Sequence, residues 1–166
     1  KLAYDNAILR TCDSRILKRL ARLFGYHLPL VAGSDLTAAL FAGRFHQGDK
    51  VAIIGGSATI LPRLSRLCPG INFVQHLPPM GVLHNATAQS DIIRFVQECD
   101  ANYVFVAIGC PQSEILALRC ANAGGTQGVA LCVGASIDFV LGDLKRAPVW
   151  MQKAGLEWLF RLLSEP

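Results

Sequence analysis

Four short apolar runs, separated by segments of helix length, constrain this chain more than any other feature. They are KVAIIGG (Lys50–Gly56), INFVQ (Ile71–Gln75), YVFVAIG (Tyr103–Gly109) and GVALCVG (Gly128–Gly134), and three of them end in glycine. A strand that is apolar without alternation is buried on both faces. Between the runs lie Ser57–Leu67, Ala86–Cys99 and Ser113–Ala123, each long enough for a helix. Strand, helix, strand, helix is the pattern of a parallel sheet with right-handed crossovers. The expected fold class is therefore α/β, a parallel sheet flanked by helices and followed by a C-terminal helical segment.

Two further helical segments precede the first run. In SRILKRLARLF (Ser14–Phe24), Ile16, Leu17, Leu20, Leu23 and Phe24 fall on one face, with Lys18, Arg19 and Arg22 mostly on the other. SDLTAALFAGRF (Ser34–Phe45) opens with Ser34 or Asp35 as its expected N-cap. There is no internal repeat or low-complexity tract. The 166 residues suit one domain, 1–166, in which about 143–166 form the closing helical segment.

Composition removes several classes of function. Hydrophobic residues make up 52% and charged residues 17%, the balance of a globular chain. No apolar run reaches the roughly 18–20 residues of a membrane-crossing helix. The opening KLAYDNAILRTCDSR lacks the apolar core of a signal peptide. A net charge of +4 falls short of the basic excess of many nucleic-acid binders, so no nucleic-acid partner is expected. It suits a phosphorylated small molecule or an anionic membrane surface. The six cysteines form no CxxC pair and read as reduced, partly buried thiols of a cytosolic protein, without zinc.

In open parallel sheets, ligands bind beyond the carboxyl ends of the strands. Here those ends carry GGSAT (Gly55–Thr59), HLPPMG (His76–Gly81), GCPQSE (Gly109–Glu114) and GASIDF (Gly134–Phe139). Glycines such as Gly55, Gly56, Gly81, Gly109 and Gly134 let a backbone approach a phosphate, and a helix start offers N–H groups to an anion. Ser57, Thr59 and Ser113 add hydroxyls. The same glycines could equally serve tight turns alone, since GGSAT is neither GxGxxG nor a P-loop. Asp138 stands in an otherwise apolar stretch, where a carboxylate needs a partner: it either caps a helix or accepts from a ribose or base. Glu114 falls in a first helical turn, where negative charge is favoured in any case. Asp13 could cap the helix that starts near Ser14. His76 and His84 lack a third ligand for a metal, and no Ser-His-Asp arrangement is visible.

The closing stretch is the most distinctive. KRAPVWMQKAGLEWLFRLLSEP (Lys145–Pro166) resembles the carboxyl-terminal signature of the WecG/TagA/CpsF family of bacterial glycosyltransferases, glycosyltransferase family 26. AGSDL (Ala32–Leu36), VAIIGGS, LPPMGV (Leu77–Val82) and AIGCPQSE (Ala107–Glu114) are similar to further family motifs, so the resemblance runs from about Ile8 onward. It implies a Rossmann-like domain without a bound metal or other cofactor. The implied reaction is an inverting transfer of N-acetylmannosamine, its uronic acid or glucose. The donor is a UDP-sugar, and the acceptor a polyprenyl-diphosphate-linked sugar in surface-polysaccharide synthesis.

Residue by residue, the resemblance makes Asp13 the general base, although Cys12-Asp13-Ser14 stands where the family has P-D-G. Ser113 occupies the place of a substrate-binding glutamine, with Gln112 one place earlier. Asp138 matches an aspartate near the nucleoside, and Arg161 an arginine that meets the diphosphate. The family's upstream Thr-Asn segment and its basic tail beyond Glu-Pro are not in the sequence, which suggests a truncated version. The expected site is thus Asp13 and Arg161 for catalysis, with Gly55, Gly56, Ser57, Gly81, Gly109, Gln112, Ser113, Glu114, Gly134 and Asp138 around the substrate. A basic, tryptophan-bearing closing segment suits docking at the inner face of the cell membrane. Self-association through it is left open. The alternative is a catalytically silent nucleotide-sugar-binding or assembly subunit of the same pathway.

Overall fold

The computed structural model of the chain describes residues 1–144 and 147–164. Four strands, β1 (Lys50–Gly55), β2 (Asn72–His76), β3 (Tyr103–Ala107) and β4 (Val129–Leu131), form one sheet in the order β2-β1-β3-β4. Every pairing is parallel; Val51 sits opposite Phe73 on one side and Tyr103 on the other. The connections are helical: α4 (Ile60–Leu67) after β1, α5 (Ala86–Cys99) after β2, α6 (Gln112–Ala123) after β3 and α7 (Ser136–Leu141) after β4. Ahead of the sheet come α1 (Leu2–Asn6), α2 (Arg15–Leu23) and α3 (Gly33–Phe41); α8 (Val149–Ala154) and α9 (Glu157–Ser164) close the chain. This is the parallel α/β arrangement that the alternating pattern implies, Rossmann-like as the family resemblance implies. Among the described residues, no helix is long and apolar enough to cross a membrane.

The two-residue period of the strands sorts the core into two layers. Ala52, Ile54, Val104 and Val106 face α5 and α6, packing on Ala88, Ile92, Val96, Leu116 and Cys120. Val51, Ile53 and Phe105 face the opposite layer, against Ile60 and Leu64 of α4 and Ile137 of α7. Phe41, at the end of α3, lies 5.8 Å from Phe105 and 5.1 Å from Phe45, ring centre to ring centre.

Burial on both faces holds for the central strands β1 and β3 but not for the edges. β2 is half-buried, and Val129 of β4 is 54% exposed. β4 also ends at Leu131, so Cys132, Val133 and Gly134 belong to the loop that leads into α7. An apolar run at a sheet edge has a neighbour on one side only and loses register sooner.

Helix starts differ from expectation in one instructive case. α3 is capped by Ala32 rather than by Ser34 or Asp35, which lie in its first turn. Gly33, the first residue of the helix, lies in ordinary contact distance of the start of α7: a Cβ there would stand 3.5 Å from Ser136 Oγ. In α2 the cap is Ser14, whose hydroxyl accepts from Leu17 N–H at 3.1 Å, and in α5 it is Asn85.

Candidate functional site

From β1 the chain crosses to β2 on one side, and from β3 to β4 on the other. The crossover direction therefore reverses between β1 and β3, and a crevice opens beyond their carboxyl ends. Gly55 and Gly56 turn the chain there with φ of +93° and +73°. At Gly55 a Cβ would come within 2.5 Å of Ile108 Cγ2 and 2.7 Å of the Ala107 carbonyl oxygen, so the close approach of β3 excludes any side chain. Gln75, at the end of β2, braces this turn: its side-chain amide donates to the carbonyl oxygens of Gly55 and Ser57, both at 2.9 Å. The Ser57 and Thr59 hydroxyls lie 2.7 Å apart.

On the β4 side of this crevice lies a cavity of about 950 Å³. Its rim carries Tyr4 of α1, Arg10, Thr11 and Asp13 of the following segment, and the starts of α3 (Gly33, Ser34), α6 (Cys110, Ser113, Glu114) and α7 (Gly134, Ser136). Three helices thus begin at one space, and helix starts are electropositive. The cavity brings together four of the residues expected from the sequence: Asp13, Ser113, Glu114 and Gly134. Gly55, Gly56, Ser57, Gly81, Gly109, Gln112 and Asp138 are not among its lining residues. Gly109 and Gln112 lie beside it, in the turn into α6 and at that helix's first position. Gly81 sits beyond β2, ahead of a short 3-10 turn, Val82–His84.

Asp13 does not serve as a helix cap. Ser14 takes that role, and the Asp13 carboxylate is left exposed at the cavity. Ser113 is buried, and its hydroxyl donates to the Val106 carbonyl oxygen at 3.1 Å. That bond commits the proton the sequence assigned to a ligand. Glu114 presents a buried carboxylate oxygen, Oε2, with no hydrogen-bond partner among the described residues. Its negative charge is felt nearby. It is the main cause raising the Tyr4 hydroxyl above its ordinary range, followed by Cys110. Cys132 lines the same cavity: the surrounding protein, then Glu114 and Cys110, push its thiol to about 12. Cys110 and Cys132 have accessible surface, so the expectation of partly buried thiols does not hold for them, whereas Cys120 is buried in the core.

Asp138 lies in the first turn of α7, beside an ion pair between Arg63 of α4 and Asp143 at 2.5 Å. Arg63 also donates to the Leu141 carbonyl oxygen at 2.7 Å. Burial, then the Asp143 charge, raise the Asp138 carboxyl above its usual value, and Arg63 opposes them. Arg161 falls within α9, but its side chain lies outside the described residues, as do Lys145 and Arg146.

Sequence reasoning missed Gln75, Tyr4, Arg63 and the presence of Cys110 and Cys132 on one cavity. Gln75 alone left a signal, a polar residue closing the apolar run INFVQ. The partners of Arg63 lie about eighty residues away, and no local pattern announces them.

The family model described as the glycosyl transferase WecG/TagA/CpsF family matches residues 1–166. The match covers every element that builds the cavity. The chain belongs to the WecG/TagA/CpsF family, and so to the glycosyltransferases of bacterial polysaccharide biosynthesis.

Proposed function

We propose that the chain transfers a sugar from a UDP-sugar to a polyprenyl-diphosphate-linked sugar, with inversion at the anomeric carbon, all 166 residues acting as one domain. The observation that carries this reading is the sharing of one cavity by an uncommitted carboxylate, Asp13, and the starts of α3 and α6. A sugar hydroxyl is a poor nucleophile at neutral pH. The Asp13 carboxylate takes its proton as the hydroxyl oxygen bonds to C1 of the donor, and the C1–O bond to the diphosphate breaks on the opposite face. UDP leaves with the electron pair of that bond. The positive ends of α3 and α6 stabilise the charge that develops there. Arg161 joins them by family resemblance.

The partnerless oxygen of Glu114 accepts from a donor-sugar hydroxyl, which supplies the hydrogen bond it lacks inside the protein. Ser113 holds the start of α6 in place through Val106. Gly134 shapes the backbone around the donor within the cavity. Asp138, the Gly55–Ser57 turn, Gly81, Gly109 and Gln112 lie outside its lining, and their contact with the nucleotide is expected from the sequence alone. N-acetylmannosamine, its uronic acid and glucose are the donor sugars to screen. A lipid-linked acceptor places the protein at the inner face of the cell membrane, where the basic closing segment meets anionic lipid.

Turnover with UDP-sugars and a short-chain polyprenyl-diphosphate acceptor, read by UDP release and the anomeric configuration of the product, tests this. An inverted product supports it. UDP binding without turnover toward any of the three donors would instead favour a silent binding subunit.

A further inference from the structure

α2 is a nine-residue helix with no buried residue. Ile16, Leu17, Leu20, Leu23 and Phe24 are 51%, 52%, 49%, 81% and 77% exposed. At about 100° per residue these five project within a stripe roughly 120° wide. Arg15, Lys18, Arg19 and Arg22 project from the opposite side, and no acidic residue occurs between Ser14 and Tyr26. The stripe runs on past Gly25 into Tyr26, itself 70% exposed.

Among the described residues, the closing helices meet α2 along one border. Arg19 Nη1 donates to the Ala154 carbonyl oxygen at 3.5 Å, and a Cβ on Gly155 would lie 3.9 Å from Arg15 Cβ and Ile16 Cγ1. The surface from Leu17 through Leu20 to Leu23 and Phe24 stays open. The helix pair that abuts it adds Trp150, Leu162 and Leu163, which are 65%, 67% and 75% exposed.

We infer that α2 lies in the plane of an anionic bilayer, with Leu17, Leu20, Leu23 and Phe24 among the acyl chains and its cations at the headgroups. This deepens the membrane reading above and rests on it, moving the main contact from the closing segment to α2. Charge decides the occupant. An apolar stripe backed by Lys18 and Arg22, with no acid in the helix's own sequence, complements anionic headgroups. A second copy seated on the same stripe would bring two cation sets together. Tyr26 at the end of the stripe suits the headgroup level, where tyrosine rings collect.

The test is co-sedimentation with phosphatidylglycerol-containing vesicles at low salt, using the unaltered chain, Leu20→Ser/Phe24→Ser and Lys18→Gln/Arg22→Gln. UDP affinity serves as the check on folding. The unaltered chain is expected to bind these vesicles and not phosphatidylcholine ones. The charge variant should lose roughly 25-fold, about fivefold per cation. The apolar variant should lose at least about tenfold. Both should keep their UDP affinity. Equal vesicle binding by all three proteins would overturn the role of α2 and leave the membrane reading standing. No binding by the unaltered chain would overturn both. A dimer in light scattering that Leu20→Ser/Phe24→Ser dissociates would assign the stripe to a second copy instead.

Discussion

The hydroxyl of Ser113 donates to the carbonyl oxygen of Val106 at 3.1 Å, tying the first turn of α6 to the end of β3. The bond is buried, and it fixes the helix start that the cavity shares with α3. Ser113→Ala should cost about 1 kcal/mol in urea denaturation, the ordinary net value of such a bond. UDP affinity should change less than about threefold, because the hydroxyl proton already has an acceptor. A large loss of affinity with unchanged stability would return Ser113 to direct ligand contact.

In the proposed mechanism Asp13 takes the proton of the attacking hydroxyl. Asp13→Asn keeps size and exposure but cannot accept the proton, so turnover should fall by about 10²–10⁴. UDP affinity and the urea midpoint should hold, since Ser14 rather than Asp13 caps α2. Steady-state kinetics beside calorimetry separates these effects.

Glu114 sets the chemistry of its neighbours. With the Cys132 thiol pushed to about 12, only on the order of one thiol in ten thousand is ionised at pH 8. Cys132 should therefore alkylate slowly even though reagent can reach it. Glu114→Gln removes a charge that helps raise it, so the rate at fixed pH should rise on the order of threefold or more. Mass-spectrometric time courses with iodoacetamide read this directly.

Asp138 links stability to pH. Its folded pKa is raised, mainly by burial, above the value it has when unfolded. The native state therefore binds the extra proton first. The stabilising contribution is fully present below the unfolded value and is lost as pH rises through the folded one. Asp138→Asn should stabilise the protein at neutral pH, flatten the acid side of its stability profile and weaken UDP binding by at least about tenfold. Thermal melts between pH 4 and pH 8, paired with calorimetry, test both halves.

β1 and β3 were legible because their apolar runs are central and buried on both faces, so composition alone marks them. β4 was legible as a strand but not in its length. Cys132 and Val133 continue the apolar run after its hydrogen bonds have ended, and pairing is a tertiary property. Ser34 and Asp35 looked like caps because local propensity favours them, but the helix starts earlier, at Gly33, and they fall in its first turn. Asp13 and Glu114, singled out in the sequence, do line one cavity. The meeting of Tyr4, Cys110, Glu114 and Cys132 was not legible, since it joins segments more than a hundred residues apart. Asp138 was legible as an acid out of place, but its neighbour Arg63 was not.

The central claim is that this cavity holds the nucleotide-sugar. Alkylation of Cys110, which lines the cavity and is accessible, tests it most directly when followed with and without saturating UDP, with NAD as control. UDP should slow Cys110 at least about tenfold and leave Cys68 unchanged, while NAD does nothing. Unaltered Cys110 reactivity under saturating UDP would contradict the account, because the nucleotide would then sit elsewhere or not bind at all.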